Sequence, residues 1–200
     1  MPGTVIGETE FPAPASVLLD VTDFELLQRI RQGDEPAFAE LVERYGKEVY
    51  GVASALLSNS ADAEDVLQET FAAVFAQAGR FRGEASVKTW LLRIALVQIA
   101  RVRRWRWRHR TIPLFGRKQE DWADVALVQE WAAARSDLEM DVMTMLARLR
   151  EDHRQVIVLR ELEGLTYDEM ATVLGVPRGT VESRLHRARQ ELKQLLRDYV

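Results

Sequence analysis

The sequence predicts an all-α fold: two small helical domains joined by a flexible linker, the C-terminal one a helix-turn-helix domain of four helices. Three features carry that expectation. Apolar residues recur at three- and four-residue spacing in segment after segment, and no segment alternates as a half-buried strand does. A stretch from 111 to 137, with Pro113, Gly116 and mixed charge, interrupts the period. Beyond it, TYDEMATVLGVPRGTVESRLHRAR (166–189) reads as two short helices about a glycine turn.

Residues 1–22 hold glycine, proline and small side chains without a period, the composition of a disordered extension. A helix is expected from near Asp23, with Phe24, Leu27 and Ile30 on one side and Gly33 at its end. Pro36 marks a fresh start, capped by Asp34 or Glu35. From there Phe38, Leu41, Val42, Tyr45, Val49, Val52, Ala53 and Leu56 keep helical spacing for about five turns. Ser58-Asn59-Ser60 breaks the pattern and offers caps for a helix over residues 62–77, whose core face is Leu67, Phe71, Val74, Phe75 and Ala78. On that helix Asp62, Asp65 and Glu69 fall at i, i+3 and i+7, with Glu64 and Gln68 beside them. The strip reads either as a solvated face near the favourable end of the helix dipole or as a docking surface for a basic protein groove.

Residues 79–86, GRFRGEAS, form a loop in which two glycines bracket an aromatic and two arginines. It is either an ordinary surface turn or a clamp for unpaired bases. A helix follows, with Val87, Trp90, Leu91, Ile94 and Val97 apolar, and runs into RVRRWRWRHR (101–110), six arginines and two tryptophans in ten residues. Such a run is a solvated helix end or tail, or a grip on phosphates and bases. Inside the 111–137 linker, Val125, Leu127, Val128 and Trp131 allow a short amphipathic helix, and Trp122 and Trp131 suggest that it rests on a surface. Leu138, Val142, Met145 and Leu149 predict one further helix, and Val156, Ile157, Leu159, Arg160 and Leu162 another. Thr166 then caps a two-turn helix in a capping box with Glu169, and Met170, Ala171 and Leu174 face inward. Gly175 ends it and Pro177 opens the next. There Val181, Leu185, Ala188 and Leu192 face inward, and Arg178, Thr180, Ser183, Arg184 and Arg187 lie opposite. A basic outer face is a solvated surface, or that of a helix entering the DNA major groove.

The charge is segregated. The net charge is −4, yet residues 88–118 carry 10 basic and no acidic side chains, and residues 172–200 carry 6 and 3. Residues 1–87 carry 6 basic and 15 acidic, and residues 119–171 carry 5 and 13. Basic blocks suit phosphate backbones and acidic blocks suit a basic protein surface.

Other classes are poorly supported. The chain has no cysteine, which excludes disulfides and thiolate metal sites, and His109, His153 and His186 are scattered. No nucleophile–base pair, phosphate loop or metal-ligand spacing is present, so no catalytic residue, metal or cofactor is expected. No apolar run approaches the ~20 residues of a membrane span, and the N-terminus lacks the basic start of a secretory signal. A cytoplasmic protein without membrane insertion is expected.

Together these motifs resemble a bacterial sigma factor of the extracytoplasmic-function group, over roughly residues 24–104 and 138–197. GDEPAFAELVERY (33–45) resembles the family's opening helix, and DAEDVLQETF (62–71) its helix for binding core polymerase. FRGEASVKTWLLRIA (81–95) resembles the segment that opens and reads the minus-ten element. LRELEGLTYDEMATVLGVPRGTVESRLHRARQEL (159–192) resembles the helix-turn-helix that reads the minus-thirty-five element.

The resemblance implies an extension over 1–22, a region 2 domain over 23–110, a linker over 111–137 and a region 4 domain over 138–200. It implies core-polymerase contacts at Asp62, Asp65, Gln68 and Glu69. It implies downstream-element contacts and melting at Phe81, Arg82, Lys88, Trp90, Arg93, Arg101 and Arg104, although Trp90 reads equally as a core residue. The upstream element falls to Arg178, Thr180, Ser183, Arg184 and Arg187. The implied partners are the clamp of core RNA polymerase, promoter DNA and a repressing anti-sigma factor.

Two departures stand out. Leu96 and Val97 replace a polar pair that the family usually carries after Arg93-Ile94, and the proline usual before the helix preceding the turn motif is absent from LARLREDHR (146–154). The expected function is promoter-specific initiation by core polymerase. The alternative is a free-standing dimeric helix-turn-helix regulator with an N-terminal sensing domain.

Overall fold

The computed structural model describes residues 22–57, 59–108 and 137–197, with side chains from 140 onward in the last stretch. The expectations for residues 1–21, for the linker over 111–136, and for His109, Arg110 and the side chain of Leu138 lie outside the described residues.

Helix α1 (Asp23–Arg31) begins at Thr22, whose hydroxyl accepts from the Glu25 amide while the Glu25 carboxylate returns to the Thr22 amide. This capping box places Thr22 in the helix start rather than in the extension expected over 1–22. Leu26, Leu27 and Ile30 are buried. Phe24, expected inward, is half-exposed instead, because the buried stripe is Leu26–Leu27–Ile30. Gly33, at φ 84°, turns the chain into α2 (Glu35–Leu56). Asp34 caps α2 by accepting from the Ala37 amide at 3.1 Å.

Asn59 caps α3 (Ser60–Gln77) by accepting from the Asp62 amide at 3.1 Å. Val66, Leu67, Phe71 and Val74 are buried there, while Phe75 is 40% exposed at the rim, edge-on to Phe38. A 3-10 turn (Ala78–Arg80) leads through the 81–86 loop into α4 (Val87–Arg108). At ~1.5 Å rise per residue, its 22 residues span roughly 33 Å. Helices α1 to α4 pack into one bundle, with α3 between α2 and α4.

The C-terminal unit holds α5 (Asp137–Arg148), α6 (Glu151–Ile157), a π-helical turn (Val158–Leu162), α7 (Tyr167–Leu174) and α8 (Arg178–Arg197). The π turn bulges because the Glu163 amide reaches back to the Val158 carbonyl at 3.1 Å. It leaves Leu162 48% exposed. The Thr166–Glu169 capping box is present, and Gly175 closes α7 at φ 65°. Val181, Leu185 and Ala188 bury the inner side of α8 against α6 and α7. Each fully buried large apolar side chain contributes about 1.5–3 kcal/mol.

The two helical units also touch one another. Helix α4 packs along α7, and α2 touches α5, α6 and the π turn, so one continuous core runs through both.

Candidate nucleic-acid interface

Three surfaces gather the residues singled out in the sequence. The first is the outer side of α3. Asp65 is exposed, and Gln68 and Glu69 are half-exposed on the same strip. Asp62 departs from it. The residue is 5% exposed, and its carboxylate pairs with the Arg106 guanidinium at 2.7 Å. Near the N-cap of α3, that carboxylate turns inward to α4 and ties the two helices together, so it does not belong to an exposed strip.

The second surface combines the 81–86 loop with α4. Ser86 caps α4, its hydroxyl accepting from the Thr89 amide at 3.1 Å, which fixes where the loop ends. Gly83 sits at φ 73°, a left-handed backbone that only glycine adopts cheaply, and Arg82 before it is exposed. Phe81 and Trp90 stand 5.3 Å apart between ring centroids, tilted by 50°. Both rings are partly buried against the core and partly open. Trp90 thus packs on the core with one side of its ring while the other stays accessible.

The arginine run divides by helical phase. Arg93, Arg101, Arg104 and Arg108 are exposed, and the last three recur at i, i+3 and i+7 on one face. Arg103 turns inward, donating to the Leu56 carbonyl at 2.6 Å and pairing with Glu151. Trp107 is 76% exposed at the end of this face. At the Leu96–Val97 departure from the family pattern, Leu96 packs against the core and Val97 is 53% exposed.

Lys88 does not stand free for DNA. Its ammonium lies 2.9 Å from the Glu163 carboxylate and donates to the Glu163 carbonyl at 3.1 Å. Burial pushes the Glu163 carboxyl above its ordinary range, and the facing Lys88 opposes that rise. Sequence reasoning missed Glu163, since nothing in the helical period marks a carboxylate on the π turn as the partner of a lysine 75 residues away. It also missed the Leu56 carbonyl, which takes Arg154 at 3.5 Å as well as Arg103.

The third surface is the outer side of α8. Arg187 and Ser183 are exposed, and Thr180 and Arg184 are half-exposed. Arg178 is held at the helix start by Glu182 at 2.9 Å and Asp168 at 3.0 Å, above the Tyr167 ring. Arg184 approaches Asp152 at 3.9 Å. Arg160 supports the turn from below, donating to the Leu165 carbonyl at 2.7 Å. Two helices about a left-handed glycine, the second with hydroxyls and guanidinia outward, have the geometry of a reader of the major groove.

The Sigma-70 region 2 family model matches residues 41–109, and the Sigma-70, region 4 model matches residues 139–192. The RNA polymerase sigma-H factor of Pseudomonas aeruginosa is 35% identical, the match covering 90% of this chain and 96% of that one. The chain belongs to the sigma-70 family. Within that family it falls in the extracytoplasmic-function group. The ECF RNA polymerase sigma-E factor of Haemophilus influenzae is also 35% identical, over 86% of this chain and 94% of the relative.

Among solved structures, CnrH in complex with the cytosolic domain of CnrY matches with a TM-score of 0.65 and 30% identity, over 88% of this chain and 97% of that one. The sigma factor RpoE of Bartonella quintana, in complex with the anti-sigma factor NepR, matches with a TM-score of 0.63 and 25% identity, over 80% and 96%. The family assignment accounts for an N-terminal bundle and a helix-turn-helix unit in one chain. Among the described residues no helix is long and apolar enough to cross a membrane.

Proposed function

We propose that this sigma-70 family chain is a dissociable promoter-specificity subunit of bacterial RNA polymerase that acts in the cytoplasm. The observation that carries this reading is the presence of three distinct surfaces on one chain. An acidic strip lies on α3, an aromatic–arginine loop continues into a basic helix, and a helix-turn-helix follows. A dimeric regulator has no use for the first two.

In this reading Asp65, Gln68 and Glu69 meet the polymerase clamp. The 81–86 loop and α4 take the downstream element: Phe81, Arg82 and Trp90 hold an unpaired base, and Arg93, Arg101 and Arg104 hold phosphates. Unstacking that base costs a few kcal/mol, which contacts made only in the opened state offset. Thr180, Ser183, Arg184 and Arg187 read the upstream duplex, and Arg178 stiffens the helix start while keeping one edge toward the DNA. The chain performs no chemistry; the polymerase supplies nucleotidyl transfer. The domains are those of the sequence reading, 23–110 and 138–200. The relatives solved with anti-sigma partners support a repressing partner protein here as well.

Charge reversal on α3 tests the docking role. Asp65→Lys combined with Glu69→Lys should abolish co-purification with core polymerase while the isolated chain keeps its helicity and melting temperature. Retained co-purification would remove α3 from the docking surface.

A further inference from the structure

Phe24 stands out because it is a large apolar side chain left 49% exposed on a helix whose other large apolar side chains, Leu26, Leu27 and Ile30, are buried. Its ring lies 6.4 Å from Phe81, tilted by 49°, and Phe81 continues to Trp90 at 5.3 Å. Three rings from three elements, α1, the 81–86 loop and α4, thus form one open aromatic row. Only two of the three fall within the region 2 match, which begins at residue 41.

The residues around Phe24 hold it still. Glu25 is tied to Thr22 in the capping box. Asp23 accepts from Arg44 at 2.8 Å and from the Tyr45 hydroxyl, which fastens the start of α1 to α2. Burial raises the Tyr45 phenol well above its ordinary range, and its hydroxyl donates to the Asp23 carboxylate. A half-exposed ring on a start pinned from both sides meets a ligand with little further loss of freedom. Arginines flank the row. Arg80 and Arg82 are exposed beside Phe81, and the exposed Arg31 lays its side chain along Gly79, 3.5 Å from where a Cβ would stand. Aromatic faces in series beside guanidinium groups are what an unpaired nucleic-acid strand requires: stacking for the bases and cations for the phosphates.

We propose that Phe24 is a binding residue for the opened DNA strand, stacking the base next to the one that the 81–86 loop holds. The row Trp90–Phe81–Phe24 then sets the direction of the strand, away from α4 and across the start of α1. This rests on the polymerase-specificity reading above and extends its melting site onto a helix that the motif does not include.

The test uses holoenzyme rebuilt from core polymerase and the full chain, with promoter fragments selected by the wild-type holoenzyme from a pool randomised across the minus-ten region. The fragments are opened by mismatches, and abasic sites are placed one at a time along the non-template strand. Phe24→Leu keeps the apolar bulk and removes the ring, whereas Phe24→Tyr keeps the ring. Phe24→Leu should weaken binding of opened fragments by at least fivefold, and Phe24→Tyr should bind as wild type does. One abasic position should weaken wild-type binding by a similar factor and leave Phe24→Leu unaffected, since base and ring act as a pair. Melting temperature and core affinity should not move. If Phe24→Leu binds opened fragments as tightly as wild type, or if both proteins respond alike to every abasic site, the stacking role is overturned and the polymerase reading stands. If the wild-type holoenzyme selects no fragments from the pool, both fall.

Discussion

Lys88 and Glu163 meet across the two helical units: the ammonium is 2.9 Å from a carboxylate whose side chain is only 8% exposed. The lysine that the family resemblance assigns to the downstream DNA element is thus occupied by the turn that precedes the helix-turn-helix. It cannot serve a phosphate and Glu163 together. Glu163→Gln should raise the affinity of the chain for downstream fork DNA several-fold, measured by fluorescence anisotropy. An unchanged affinity would show that the pair does not compete with DNA.

The same pair carries a pH signature. Burial raises the folded-state pKa of Glu163, so the stability linked to its proton is fully present below the unfolded value and is lost as pH rises through the folded one. Glutamine mimics the protonated form. The melting temperature of Glu163→Gln minus that of wild type should therefore be positive at pH 7 and shrink toward zero as pH falls to about 4, near the ordinary carboxyl value. A difference that grows on acidification would mean that Lys88, not burial, dominates.

The arginine run should split in function as it does in phase. Alanine at Arg101, Arg104 and Arg108 should flatten the log–log salt dependence of DNA binding by about 0.9 for each phosphate no longer neutralised, with little change in stability. Arg103→Ala should leave that slope alone and cost about 1–3 kcal/mol in denaturant unfolding, because the Leu56 carbonyl and Glu151 lose a charged partner. The reverse pattern would mean that the helix faces are misassigned.

On the upstream reader, Arg187→Ala should weaken recognition of the minus-thirty-five element by about 1–3 kcal/mol and leave core binding intact. Gly175→Ala should act differently. At φ 65° the added Cβ costs roughly 1–2 kcal/mol of stability, visible as a lower melting temperature, with base preference unaltered.

Much of this architecture was legible in the chain. Thr166, Glu169 and Gly175 announce a helix start and stop through side-chain chemistry that acts within a few residues, and the structure places the cap and the turn there. Asp34 and Asn59 do the same for α2 and α3. Sequence reasoning failed where a side chain's fate depends on a distant element. Asp62 has the spacing of a surface acid, yet Arg106, far along the chain on α4, draws it inward. Phe24 has the spacing of a core residue, yet Leu26, Leu27 and Ile30 fill the core without it. The packing of α4 on α7 leaves no periodic trace, because each helix is already amphipathic for its own unit.

Transcription in vitro tests the central claim most directly. Core polymerase should initiate at discrete sites on a promoter-bearing template only when this chain is added, and those transcripts should weaken with Arg187→Ala and disappear with the α3 charge reversal. A chain that binds DNA tightly by itself, and never makes core polymerase initiate, would contradict the account.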